Sequence, residues 1–318
     1  MGSKQSTVST GEPAMVTSPS DIGAFFDFDS KVAGPVLGIG SHEIPVFDEP
    51  QLTQLAVPLR EATVGLLVTS GAYYPDQPRM RNHNDLSYRL LPRKRDLTEI
   101  LFAHRTPVRA FALADPNVAY PRDTMVDLEK DGVFGRYADE AVSIVGSISK
   151  YDELATQTAT SIVGEFERQG VDLLLVLPYC PQCHVAAGVL ARAIERRGLP
   201  TTSLATLYKP AQSVKPPRAT FLDFPLGCPG GRPNRPDQQR AIVRAALETG
   251  ASTPIDTPWS LGRLPFTWDE DGNRAWEELV TDVYRVDNEI RGTVLANLSE
   301  HTDNLSGKER EFAIRCAC

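Results

Sequence analysis

The stretch "VDLLLVLPYCPQCHVAAGVLARAIERRGLPT" (Val171–Thr201) decides the fold. Its opening, "VDLLLVLPY", is short and continuously apolar, the pattern of a strand covered on both faces in a parallel sheet. Its continuation, "CHVAAGVLARAIERRG", reads as a helix stopped at Gly198. Cys180, Cys183 and His184 stand at the junction, so an apolar strand, a turn and three chemically versatile side chains arrive in one run.

The same alternation extends in both directions. "ATVGLLVTSGA" (Ala62–Ala72) is a β-branched apolar run suited to a buried parallel strand. "YPRDTMVDLEKDGVFG" reads as a short helix from about Arg122, closed near Gly132. In "KYDELATQTATSIVGEFERQG", Ala155, Ala159, Ile162 and Phe166 recur at helical steps of three and four, and Gly170 ends the helix. Beyond the junction, "LPTTSLATL" and "RATFLDFPLG" supply strands, and "RPDQQRAIVRAALETG" another helix. Strand and helix in turn predict an α/β fold, a three-layer sandwich around a mostly parallel, Rossmann- or flavodoxin-like sheet. In such sheets a ligand site lies beyond the carboxyl ends of the strands, and the Cys180 turn sits at one such end.

Composition divides the chain and narrows its partners. Residues 1–22 are rich in Ser, Thr, Pro and Gly, which predicts a disordered arm. Residues 23–253 form the expected α/β catalytic domain, and 254–318 a helical extension ending in "CAC". With a net charge of -8 and no basic run interleaved with aromatics, nucleic acid is an unsuitable partner, which leaves a small molecule or another protein. No apolar run approaches the roughly 18–20 residues of a membrane span, and the first residues lack a secretory layout. Both features predict a cytoplasmic protein, although "MGSKQS" fits the N-myristoylation pattern at Gly2 and Ser6.

The five cysteines, at 180, 183, 228, 316 and 318, are an odd set confined to the second half. That is a poor disulfide framework and a better redox or metal inventory. Cys180 would face the N-terminus of its helix, where unpaired N–H groups and the macrodipole favour an anion and lower a thiol pKa. Cys183, one turn on, is placed to resolve a sulfur adduct on Cys180, and His184 to donate a proton or to stabilise the thiolate. Three other readings stay open. "CPQCH" matches the c-type haem attachment pattern, but in the wrong setting. Zinc could use Cys180, Cys183 and Cys228, and the cysteines could simply be buried packing. Cys316 and Cys318, at the polar tip, suit a relay carrying electrons to or from a buried disulfide.

Beyond these spacings, "GVDLLLVLPYCPQCHVAAGVLARAIERRGLPT" resembles the active-site region of the glycine/sarcosine/betaine reductase component B and D-proline reductase family, in particular its proline-reductase selenoprotein subunit. Cys180 stands where that subunit has selenocysteine, and Cys183 and His184 hold its Cys-His positions. The phrase "DLSYRLLP" resembles the family's Asp-X-Ser/Thr-Tyr-Arg-X-X-Pro phrase, carried here by Asp85, Ser87, Tyr88, Arg89 and Pro92. A stretch beginning near His104, and the strand, Gly/Pro loop and helix around Cys228, are similar in the same order, so the resemblance covers Ala62 to Glu248.

The resemblance implies a thiol-dependent oxidoreductase acting on a small molecule, with an external thiol or thioredoxin-like reductant, no certain cofactor, and a partner subunit or homo-oligomer. The family-like positions Asp85, Tyr88, Arg89 and His104 suit substrate-binding roles, with salt-bridge or capping roles as the alternative. Cys228, on the loop after a neighbouring strand, is expected to face the same crevice as a pocket wall, a third redox thiol or a zinc ligand. A thiolate is a weaker nucleophile than a selenolate, and the selenoenzymes that the chain resembles work with a pyruvoyl-bearing partner that activates the amine substrate, an element this sequence does not show. The competing reading is a zinc-thiolate lyase or a partner-dependent subunit of the same fold.

Overall fold

A computed structural model describes residues 44–269 and 274–286, together with Ala14–Met15 and Phe25. The strands are β1 (Ala14–Met15), β2 (Thr63–Val68), β3 (Ala72–Tyr73), β4 (Arg89–Pro92), β5 (Leu101–Phe102), β6 (Arg136–Tyr137), β7 (Glu140–Ser143), β8 (Leu173–Leu177), β9 (Thr201–Ala205), β10 (Ala219–Phe221) and β11 (Gly262–Arg263). The helices are α1 (Arg109–Ala114), α2 (Arg122–Lys130), α3 over 151–168 with a π turn at Leu154–Thr158, α4 (Pro181–Glu195), α5 (Tyr208–Val214), α6 (Pro236–Ser252) and α7 over 276–286.

The main sheet runs β1-β11-β10-β9-β8-β2-β7-β4, with β6 also pairing β2. Its interior pairs are parallel, as the continuous apolar strands require, and β1 and β4 run antiparallel at the two edges. Along β8, Leu173, Leu175 and Leu177 join one buried cluster, while Leu174 and Val176 join another. The first cluster takes in Met125 and Leu128 of α2 and Ile242 and Leu247 of α6. The second takes in Ile162 and Phe166 of α3 and Val189, Leu190 and Ile194 of α4. Alternate side chains of one strand thus bury against helices on opposite faces, which is the expected three-layer sandwich.

Chain order locates the crevice. After β2 the chain adds β6 and β7 on one side, then returns to lay β8 on the other, so the winding direction reverses between β2 and β8. At such a reversal the connections leave in opposite directions and open a crevice at the carboxyl ends of the strands. Thr69 and Cys180 follow these two strand ends. Two features lie outside the simple alternation. The small antiparallel pair β3–β5 projects from the end of β2, and α7 belongs to the C-terminal extension.

Candidate active site

Cys180 is the N-cap of α4, in extended backbone conformation, with Pro181 at the first helical turn. Proline suits this position because its missing N–H would have no intrahelical partner, and the cap side chain accepts one of the free N–H groups. Here the acceptor is the sulfur: the Cys183 N–H points at Cys180 Sγ at 3.2 Å. The two sulfurs lie 2.7 Å apart, both buried, and Cys183 Sγ also faces the Thr69 carbonyl at 3.6 Å. Gly146 completes this packing, since a Cβ there would stand 2.8 Å from Cys183 Sγ.

His104 is the ring that reaches the pair, its Nε2 lying 3.0 Å from Cys180 Sγ. It arrives on the β3–β5 pair: Ala72 is opposite Phe102, and the Ala103 N–H donates to the Gly71 carbonyl at 2.8 Å. Gly71 makes the turn with φ +66, and a Cβ there would press Val145 at 2.7 Å and the His104 backbone nitrogen at 3.1 Å. Glycine therefore lets the end of β2 come close enough to seat His104 over Cys180.

Burial pushes the Cys180 thiol well above its ordinary range, and the adjoining Cys183 sulfur pushes it further. Burial acts the same way on Cys183, but the hydrogen bond from Cys180 and the charge of His104 outweigh it and hold Cys183 well below that range. The proton shared across 2.7 Å belongs to the pair, which loses one proton early and keeps the other. The single negative charge therefore sits on Cys183 and the remaining proton on Cys180, the reverse of the lowered Cys180 thiol expected at a helix N-terminus.

His184 is turned elsewhere. The backbone N–H groups of Thr206 and Leu207 donate to its Nε2 at 3.0 and 3.1 Å, so the ring proton is on Nδ1, which donates to the Cys180 carbonyl at 2.8 Å. Burial lowers its pKa to about 4, and the ring is a neutral tie between α4 and the turn after β9. The folded pKa lies below the unfolded value of about 6.5, so the unfolded chain binds more protons between them. Stability is therefore expected to be complete above about pH 6.5 and to fall by roughly 3 kcal/mol as pH drops to 4. In denaturant titrations, His184→Asn should lower the plateau and flatten that slope; an undiminished slope in the variant would refute the assignment.

The other residues singled out by sequence take different places. Cys228 is buried in the same cluster as the sulfur pair, its thiol pushed well up by burial and then by the charge of Asp115. Asp85 accepts from the backbone N–H groups of Arg81 and Ser87 and from the Ser87 hydroxyl, shaping a turn. Tyr88 donates to Glu165 of α3, and Arg89 donates to the carbonyls of Pro78 and Tyr88 and to the Ser87 hydroxyl. Cys316, Cys318 and the Gly2 and Ser6 pattern lie outside the described residues. Among the described residues, the group able to hold a metal is His104, Cys180 and Cys183, with ligand atoms within 4.8 Å of one another; Cys228 is not in it.

Three contributors were not legible as site residues: the Thr69 carbonyl, Gly146 and Tyr179. The only trace was "VTSGA", a Ser-Gly ending to a buried strand. Tyr179 is fully buried, its ring centroid 6.1 Å from that of His104, and its hydroxyl has no hydrogen-bond partner among the described residues.

Comparison with known proteins bears out the resemblance. The chain is similar to D-proline reductase subunit gamma of Acetoanaerobium sticklandii, 26% identical over 211 residues, covering 66% of this chain and 87% of the relative. It is similar to sarcosine reductase complex component B subunit beta of Peptoclostridium acidaminophilum, 26% identical over 200 residues, covering 59% and 45%. Betaine reductase complex component B subunit beta of the same organism is 31% identical over 123 residues, covering 38% and 28%. The chain thus spans most of the first relative and less than half of the other two. No family model matches the chain, and no solved structure matches it. No helix among the described residues is long and apolar enough to cross a membrane.

Proposed function

We propose that this chain, similar as it is to subunits of D-proline, sarcosine and betaine reductases, is a dithiol reductase of the cytoplasm that cleaves a bond in a small molecule using Cys180 and Cys183. The observation that carries the reading is the pair of buried sulfurs 2.7 Å apart at a helix N-terminus, with His104 on the outer one at 3.0 Å. Cys183 takes the Cys180 proton as the Cys180 sulfur attacks atom X of a substrate X–Y, forming S–X while Y leaves with the bonding pair and takes a proton by way of His104. Cys183, deprotonated in turn, attacks Cys180 Sγ. A disulfide forms, the S–X pair goes to X, and X takes up the second proton. The dithiol has then lost two electrons and two protons to X–H and Y–H, and an external dithiol of the thioredoxin type restores it. His184 keeps the Cys180 backbone in place and takes no part in proton transfer. By analogy with the relatives, whose names are those of complex subunits, the chain works beside a partner subunit.

A second reading has its own observation: the ligand atoms of His104, Cys180 and Cys183 lie within 4.8 Å of one another, and these three residues would hold a zinc ion that supplies Lewis-acid chemistry. One experiment separates the two: metal content and free-thiol count of the native protein before and after a mild dithiol reductant, with peptide mapping. A reversible Cys180–Cys183 disulfide in metal-free protein is the expected result. Stoichiometric zinc, or thiols that never pair under mild oxidation, would overturn the dithiol mechanism.

A further inference from the structure

The sulfur pair is enclosed: Cys180 is 4% and Cys183 0% exposed, so neither a substrate nor a reductant can touch them in this conformation. Below them are the strand ends of β2 and β8, and beside them the His104 turn. The open side of the crevice is bounded by the segments that follow β5, β9 and β10, and each supplies an apolar residue to one small cluster: Val108, Leu207 and Leu226. The other members of that cluster come from α7, namely Trp276, Val280 and Tyr284. They recur every fourth residue, so they form one stripe of the helix, while Leu279 and Val286 on other faces are 58% and 43% exposed.

Tyr284 carries the contact closest to the chemistry. It is 2% exposed, and its hydroxyl lies 3.1 Å from the Thr106 hydroxyl, on the same turn as His104. Its phenol is pushed well up by burial and next by the charge at Cys180, so it keeps its proton and lies within electrostatic reach of the sulfur. Helix α4 is buried along nearly its whole length, whereas the described part of α7 buries the one stripe of Trp276, Val280 and Tyr284, and Arg274 just before it pairs with Asp223 at 3.0 Å. A helix that buries one stripe over a buried reactive pair suits a moving cover, because local opening is cheapest where less buried surface is lost.

We propose that α7 is the cover of the dithiol site and that Tyr284, bonded to Thr106, is its latch: substrate and reductant reach Cys180 when this helix lifts. The cover lies after residue 253, beyond the Ala62–Glu248 stretch whose phrases resemble the reductase family. The proposal rests on the dithiol reading for its purpose but is testable without it.

The test is alkylation of reduced protein at one fixed pH with iodoacetamide and, separately, the bulkier N-phenylmaleimide, followed by peptide mapping of Cys180 and Cys228. In the unsubstituted chain, Cys180 modification should level off with reagent concentration at the same limiting rate for both reagents, since opening is the slow step. Tyr284→Phe should raise that rate roughly fivefold, the scale of one lost hydrogen bond, and Val280→Ala roughly tenfold, with Cys228 unchanged. Equal Cys180 rates in all three proteins would overturn the cover, and so would acceleration at Cys228 in step with Cys180, which marks global unfolding. If Cys180 and Cys183 never form a reversible disulfide while these rate changes appear, the reductase reading fails and the cover stands.

Discussion

Cys180→Ser is expected to abolish reductase turnover, by at least ~10³-fold, while leaving the fold intact. A serine hydroxyl can cap α4 in place of the sulfur, so the helix keeps its N-terminal acceptor. What is lost is the nucleophile: a hydroxyl is a far weaker acid and a poorer nucleophile than a thiol, and it cannot close a disulfide with Cys183. Cys183→Ser should fail differently. Attack by Cys180 survives but resolution does not, so a covalent adduct on Cys180 should accumulate with one substrate equivalent, visible in the intact mass and released by added thiol. Turnover by Cys180→Ser within tenfold of the unsubstituted rate would remove Cys180 from the chemistry. A Cys183→Ser protein that cycles normally without an adduct would remove the resolving step.

The second large effect concerns stability, far from the sulfurs. At the end of α4, Glu195 is fully buried and pairs with Arg218, whose side chain is 2% exposed. The carboxylate also accepts from the Thr53 and Thr201 N–H groups at 2.6 and 2.7 Å, and Arg218 donates to the Thr53 carbonyl at 2.6 Å. This knot ties the segment before β2 to α4 and β9. Arg218→Met should cost about 3–5 kcal/mol, because it strands a buried carboxylate. Burial already raises the Glu195 pKa, with Arg218 opposing it, so removing Arg218 raises it further. A folded-state pKa above the unfolded one means that the native state binds the extra proton, so the variant should lose stability as pH rises from about 4.5 through the folded pKa. Denaturant unfolding at several pH values reads both effects. Glu195→Gln combined with Arg218→Met should recover a large part of the loss. A loss under 1 kcal/mol, or one that shrinks as pH rises, would refute the account.

The α/β architecture and the closeness of Cys180 and Cys183 were legible in "VDLLLVLPYCPQCH", for a physical reason. A continuous apolar run can be buried only between two helical layers, and a residue at its carboxyl end, followed by Pro and a helical pattern, must be the helix cap. Cys180 and Cys183, one turn apart, then face each other by helix geometry alone.

Distance along the chain decided the rest. His184 follows Cys183 directly, but one helical step turns a side chain by about 100°, and that step carries the ring away from the sulfurs to the backbone after β9. His104, 76 residues before Cys180, is the ring that meets it; the family-like stretch it opens marked it as a site candidate, but not as the partner of Cys180. Its place depends on the β3–β5 pair and on the close approach at Gly71. Tyr284 comes still later, in a segment whose sequence showed only a helix. Local sequence determined which sulfurs meet, because a single helical turn holds them. Which imidazole and which phenol join them was set only by tertiary packing, because it brings together segments that have no local geometry in common.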